Sequence, residues 1–206
     1  MMKQYGILGY PAKHSLSPAV HNAGFKAAGI DAQFGIFEIP ENELAEFIEQ
    51  VRREPVAGFS VTAPYKEMIM QYLNEMDGDA RKIGAVNTVI NEGGFLYGYN
   101  VDCIGLIKAL KEVCFELRGR RVCVIGAGGA ARAAVYGLLK ESAEVVIFNR
   151  TAEKAKNLAE EFGKMFGVKV ESGSLSGSEG VKIGGDILIQ TSSVWMLEPS
   201  AKLEDL

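Results

Sequence analysis

Between residues 41 and 54 the chain reads ENELAEFIEQVRRE, which sets Leu44, Phe47, Ile48 and Val51 at i, i+3, i+4 and i+7 with charges between them. That period predicts an amphipathic helix with one apolar stripe to lay on a sheet. Apolar runs of strand length surround it: QYGILGY (4–10), AQFGIFEI (32–39), VAGFSVTA (56–63) and VNTVIN (86–91). A further helix is expected from about Lys66 to Met76, with Met68, Ile69, Tyr72, Leu73 and Met76 on one side. Past residue 100 come a helix DCIGLIKALKEV, a strand RVCVIG, a glycine turn, a helix AARAAVYGLLK and a strand EVVIFNR. The helix AEKAKNLAEEFGKMFG follows, with Ala155, Leu158, Ala159, Phe162 and Phe166 on one face, then a short strand VKVE, a Gly/Ser loop SGSLSGSEG and a strand DILIQT.

Strand-like runs alternating with helix-like ones predict an α/β protein with parallel sheets. The change of texture near Cys103 predicts two domains, 1–103 and 104–206, without a flexible linker. The second half begins like a dinucleotide-binding domain but offers three or four strands, where such domains usually have about five or six. The chain is therefore expected to be incomplete at its C-terminus.

Composition narrows the function classes. With 206 residues, 48% hydrophobic and 23% charged, the chain has the make-up of a soluble globular protein. It has neither an apolar run of membrane-spanning length nor a signal-peptide pattern, so a cytoplasmic protein without membrane partners is expected. A net charge of -4 argues against a nucleic-acid surface, which needs a basic excess. Cys103, Cys114 and Cys123 form no C-x-x-C pair, and His14 and His21 are the only histidines. Neither a disulfide framework nor a metal site is expected, and both histidines read as structural or exposed.

In VIGAGGAARAA, Gly126, Gly128, Gly129 and Ala131 make a G-x-G-x-x-A pattern, with Ala130 inside it, between an apolar strand and a helix. The first glycine permits a tight turn, the second lets backbone approach a pyrophosphate, and the small residue lets helix and strand pack closely. An acidic residue about 20 positions on would suit the ribose 2′-hydroxyl of NAD. Here the second strand ends in FNRTAEK, and Asn149, Arg150, Thr151 and Lys154 offer hydroxyl, amide and basic groups suited to the 2′-phosphate of NADP. The same stretch also serves as a plain helix start with Thr151 as N-cap.

In the first half, GYPAKHSLSPAVHN sets Ser15 and Ser17 just before Pro18 and a helical run. These serines suit a small carboxylate or hydroxylated ligand beside open amides, or simple capping with Pro18 at the first helical position. SVTAPYKE supplies Thr62 and Lys66, IGAVNTV supplies Asn87, and YGYNVDCIG supplies Asn100 and Asp102. Polar groups at successive strand ends of an α/β sheet converge on the crevice where ligands bind. A lysine there can exchange a proton, and a carboxylate beside it stabilises its charged form.

Six segments in order, SLSP, SVTAPYK, GAVNT, NVDCIG, GAGGAA and NRT, resemble the shikimate dehydrogenase family, whose patterns are S-x-S-P, N-V-T-x-P-x-K, G-A-V-N-T, N-T-D-x-x-G, G-A-G-G-A-A and N-R-T. The resemblance implies an N-terminal substrate domain, an NADP-binding Rossmann domain and a monomer or homodimer. It also implies reversible reduction of 3-dehydroshikimate to shikimate on the route to aromatic amino acids. Carried over by position, Ser15 and Ser17 would hold the substrate carboxylate, and Thr62, Lys66, Asn87 and Asp102 would contact its hydroxyl and keto oxygens. Lys66 would be the proton donor and acceptor, with Asp102 as its partner. Ser60 stands where the family has Asn, Val101 where it often has Thr, Gln190 for Asn and Trp195 for Gly in QTSSVWM. The alternatives are a quinate/shikimate dehydrogenase with broader substrate or NAD use, and a catalytically silent ligand-binding fragment or paralogue.

Overall fold

The computed structural model describes residues 2–113, 116–176 and 184–192, and the chain divides into two compact units, Met1–Val101 and Asp102–Leu206. Cys114, Trp195 and the C-terminal EPSAKLEDL lie outside the described residues. No helix among those described is long and apolar enough to cross a membrane.

The first unit runs β1 (Lys3–Gly9), α1 (Ser17–Ala28), β2 (Ala32–Glu38), α2 (Leu44–Arg53), β3 (Val56–Val61), α3 (Tyr65–Met68), β4 (Glu75–Met76), α4 (Gly78–Ile83), β5 (Thr88–Glu92) and β6 (Phe95–Tyr99). Its strands form one sheet in the order β2-β1-β3-β5-β6-β4. β1 pairs in parallel with β2 and β3, and β4 with β6, but β5 runs antiparallel to both β3 and β6. The sheet is thus mixed, against the expected parallel one. The reason is the Gly93-Gly94 loop, with φ +63° and +93°, a two-residue connection that only antiparallel neighbours can use.

The stripe on α2 is buried as its spacing predicts: Leu44, Phe47, Ile48 and Val51 share one core with Phe59, Val61, Val86 and Leu96. Phe47 meets Phe37 and Phe59 with ring centroids 5.2 and 5.9 Å apart. Each such side chain contributes about 1.5–3 kcal/mol by leaving water. The helix stops at Arg53 because Pro55 follows, which pushes Glu54 to an extended backbone with ψ 160°.

The helix expected over 66–76 does not form. α3 ends at Met68, a 3-10 turn spans Ile69–Tyr72, Leu73 is extended, and Glu75–Met76 becomes β4. The Arg52 guanidinium takes the Tyr72 carbonyl and the Asn74 Oδ1, at 2.6 and 2.7 Å, and the Asn74 N–H donates to Leu96 O. Tertiary partners, invisible to local periodicity, have claimed the groups that a continuing helix would need.

The second unit runs α5 (Asp102–Val113), β7 (Arg121–Ile125), α6 (Gly129–Lys140), β8 (Glu144–Asn149), α7 (Ala152–Phe166), β9 (Glu171–Ser174) and β10 (Ile187–Gln190). These strands are all parallel, in the order β10-β7-β8-β9, the pattern of a doubly wound sheet that reverses between β7 and β10. Val122, Cys123, Val124 and Ile125 are buried in an unbroken run, as expected for a parallel strand covered on both faces. The expected strand VKVE is displaced to Glu171–Ser174. The Val168 N–H still closes the end of α7 on Gly163 O, and Gly173 admits the Phe148 ring, which a Cβ would meet at 2.5 Å.

Candidate active site

Ser60 in β3 faces Thr88 in β5, and Thr88 faces Tyr99 in β6. Antiparallel pairing therefore brings the end of β3, the start of β5 and the end of β6 to one edge of the sheet, beside the end of β1. Backbone bonds continue past the strands there: Thr62 N–H donates to Leu8 O at 2.9 Å and Tyr10 N–H to Ala63 O at 3.2 Å. Thr62 also lies so close to Gly9 that a Cβ on the glycine would sit 2.4 Å from Thr62 Cγ2.

Lys66, half-buried, is the second residue of α3. Its carbonyl accepts Val86 N–H at 2.7 Å, which ties it to the residue before Asn87. Tyr65, fully buried, donates its hydroxyl to Ile39 O and anchors the same turn. Asn87 is buried; its N–H donates to Tyr99 O, its carbonyl accepts Val61 N–H, and its Oδ1 accepts Val101 N–H at 2.9 Å. Asn100 donates its amide to Ala85 O at 2.9 Å. Asp102 opens α5, in the second unit, one residue beyond the amide that Asn87 holds.

Ser15 and Ser17 lie on the connection from β1 into α1. Leu16 occupies the N-cap, so Ser17 rather than Pro18 is the first helical residue, and Ser15 Oγ accepts Ser17 N–H at 3.2 Å. A residue without a signature in the sequence holds this connection. Glu38, at the end of β2, accepts the N–H groups of Ala12 and Lys13 at 2.9 and 2.8 Å, and pairs with the Lys13 ammonium at 3.3 Å. The Ala12 N–H foremost, then that of Lys13, keeps the Glu38 carboxyl below the ordinary glutamate range. The structure thus brings Ser15, Ser17, Thr62, Lys66 and Asn87 onto segments leaving one edge of the first sheet. His21 stacks on Phe34 at 4.2 Å.

In the second unit Gly126 follows β7 with φ +116°, and a Cβ there would fall 2.4 Å from Thr191 Oγ1. Gly128 is the N-cap of α6 and is exposed, Gly129 and Ala130 are half-buried, and Ala131 is fully buried. A glycine N-cap has no side chain to satisfy the first-turn amides, and that turn holds no acidic residue. The result is a bare, positively polarised helix start. At the end of β8, Asn149 Nδ2 donates to Thr151 O at 3.0 Å, and Arg150 and Lys154 are exposed. Thr151 is the N-cap of α7 but makes no side-chain capping bond. A turn that requires glycine at Gly126 and an uncapped helix start, in a sheet whose neighbouring strand leads into the exposed Arg150, have the chemistry to hold a phosphorylated dinucleotide.

The family model for the shikimate dehydrogenase substrate binding domain matches residues 7–89, and that for shikimate / quinate 5-dehydrogenase matches residues 108–179. A curated shikimate dehydrogenase (NADP(+)) of Caldanaerobacter subterraneus subsp. tengcongensis is 43% identical over 94% of this chain and 69% of its own length. The crystal structure of the shikimate dehydrogenase of Aquifex aeolicus is similar with a TM-score of 0.86 at 39% identity, over 98% of this chain and 73% of that one. The Thermus thermophilus enzyme in complex with NADP(H) and shikimate has a TM-score of 0.81 at 32% identity, over the same shares. With both units matched and more than two thirds of a curated relative covered, the chain belongs to the shikimate dehydrogenase family.

Proposed function

We propose that this chain is an NADP-dependent shikimate dehydrogenase, which reversibly reduces 3-dehydroshikimate to shikimate in the biosynthesis of aromatic amino acids. The observation that carries the reading is its 43% identity, across both units, to a curated enzyme of that name. It is read as a cytoplasmic protein of small-molecule substrates, working as a monomer or homodimer.

Ser15 and Ser17 hold the substrate carboxylate, and Thr62 and Asn87 bind its hydroxyl oxygens. When bound, the reduced dinucleotide supplies a hydride to the keto carbon. Lys66 gives a proton to the oxygen that becomes negative as the C–H bond forms, and takes it back in the reverse direction. Asp102 is the second residue of this proton transfer, as the family resemblance implies. The first test is direct: the purified chain should raise NADPH absorbance when given shikimate and NADP+. No rise from a chain that melts cooperatively would overturn the reading. Quinate, which the description of the second matching family model also names, is the comparison substrate.

Two variants probe the supporting groups. Arg150→Ala should weaken NADP+ binding by about 10- to 100-fold, the size of a charge-assisted bond of about 1.5–3 kcal/mol, and leave NAD+ nearly unchanged. Equal losses for both cofactors in a binding titration would remove Arg150 from the 2′-phosphate. Glu38→Gln should raise the KM for shikimate several-fold with kcat little altered, because the connection carrying Ser15 and Ser17 loses a charge-assisted anchor. Glu38 has a lowered pKa in the folded state. Its stabilisation is therefore present above the ordinary glutamate pKa and is lost as pH falls through the lowered value. Melting temperatures measured down into that acid range should fall more for the parent than for Glu38→Gln.

A further inference from the structure

The Thr62 hydroxyl serves a substrate only if something aims it. The segment that leaves β3 lies along the end of β1, with Thr62 N–H on Leu8 O at 2.9 Å and Tyr10 N–H on Ala63 O at 3.2 Å. Gly9 sits between those two bonds, buried and without a positive φ, so space rather than backbone conformation is what requires a glycine there. The Thr62 γ-methyl occupies that space: a Cβ on Gly9 would come 2.4 Å from Thr62 Cγ2. Ala12 Cβ and the Ala63 carbonyl oxygen close the slot, each 3.3 Å from the same point. Ala12 is itself buried, and its N–H is held by the Glu38 carboxylate at 2.9 Å.

Threonine carries its methyl and its hydroxyl on one carbon, so a seated methyl leaves the hydroxyl a single direction. A methyl added at Gly9 would unseat it. Thr62 is half-buried, and its simplest escape is a turn of about 120° to the next staggered position, which carries the hydroxyl away with the methyl. The backbone bonds on either side survive that turn. We propose that Gly9 is a positioning residue of the substrate site: the space left by its missing side chain seats the Thr62 methyl and so aims the Thr62 hydroxyl at the substrate. This rests on the reading of Thr62 as a substrate-binding residue.

The test is a shikimate titration of the parent chain, Gly9→Ala, Thr62→Ser, Thr62→Val and the Gly9→Ala/Thr62→Ser double variant, each first shown to melt cooperatively. Gly9→Ala should bind shikimate about 3- to 10-fold more weakly, the size of one hydrogen bond. Thr62→Ser keeps a hydroxyl that is no longer aimed and should lose less. Serine has no Cγ2 to strike, so the double variant should bind as Thr62→Ser does, and more tightly than Gly9→Ala. Parent-like affinity in Gly9→Ala would overturn the inference, and so would a double variant weaker than Gly9→Ala. If Gly9→Ala alone does not fold, equal affinities of Thr62→Ser and the double variant still support the inference, and a weaker double variant overturns it. Thr62→Val keeps the methyl and loses the hydroxyl. Parent-like affinity there would remove the reading of Thr62 itself, and this inference with it.

Discussion

Lys66→Ala should lower turnover in both directions by about 10²- to 10⁴-fold, the contribution of one well-placed general acid or base, and leave NADP+ affinity almost unchanged. The lysine backbone is held independently of its side chain: its carbonyl accepts Val86 N–H, and its neighbour Tyr65 is buried and bonded to Ile39 O. Truncation at Cβ therefore removes the ammonium and keeps the turn. Hydride arrival at a ketone creates an alkoxide, and without a donor in reach the proton must come from water. Lys66→Arg should not restore the rate, because a guanidinium stays protonated throughout the working range and cannot take up the proton in the oxidation direction. Steady-state rates with shikimate and NADP+, set against an NADP+ titration, check both statements. Similar losses in turnover and cofactor affinity would assign Lys66 a structural place instead.

The parts of this architecture that were legible in the sequence are those whose partners are near in the chain. The α2 stripe, the strand-turn-helix around Gly126 and the basic ending of β8 are local patterns, and each follows from side-chain period or glycine geometry. The region over 66–76 was not legible. Its apolar residues have helical spacing, yet Arg52 and β6, both distant in sequence, claim the backbone there. The mixed sheet has a local sequence signal of its own. Asn91-Glu92-Gly93-Gly94-Phe95 contains a glycine pair between strand-like runs, which favours a tight hairpin and so an antiparallel β5.

The candidate site divides in the same way. Ser15, Thr62, Lys66 and Asn87 stand in recognisable motifs, but what holds them does not. Glu38 is one acidic residue at the end of a strand, and only the fold brings its carboxylate to Ala12 and Lys13. The space at Gly9 that seats the Thr62 methyl carries no sequence signal either, since room for one carbon is a property of packing.

Gly126→Ala should destabilise the protein by about 2–6 kcal/mol and weaken dinucleotide binding with it. Two separate costs make up the figure. The backbone at φ +116° lies where an L side chain is strained, at about 1–3 kcal/mol. The added methyl would also stand 2.4 Å from Thr191 Oγ1, an overpacking that typically costs about 1–3 kcal/mol. Thr191 cannot swing aside freely, because its hydroxyl and N–H both donate to the Ile125 carbonyl. A double-mutant cycle separates the two costs. Thr191→Ala removes the struck oxygen, so in the Gly126→Ala/Thr191→Ala protein the clash is relieved and the backbone strain persists. The double variant should therefore melt higher than the sum of the single losses predicts, by a coupling of about 1–3 kcal/mol, and still below the parent. Strict additivity would mean that Thr191 is not what forbids a side chain at Gly126. Full recovery would mean that the positive φ carries no cost there.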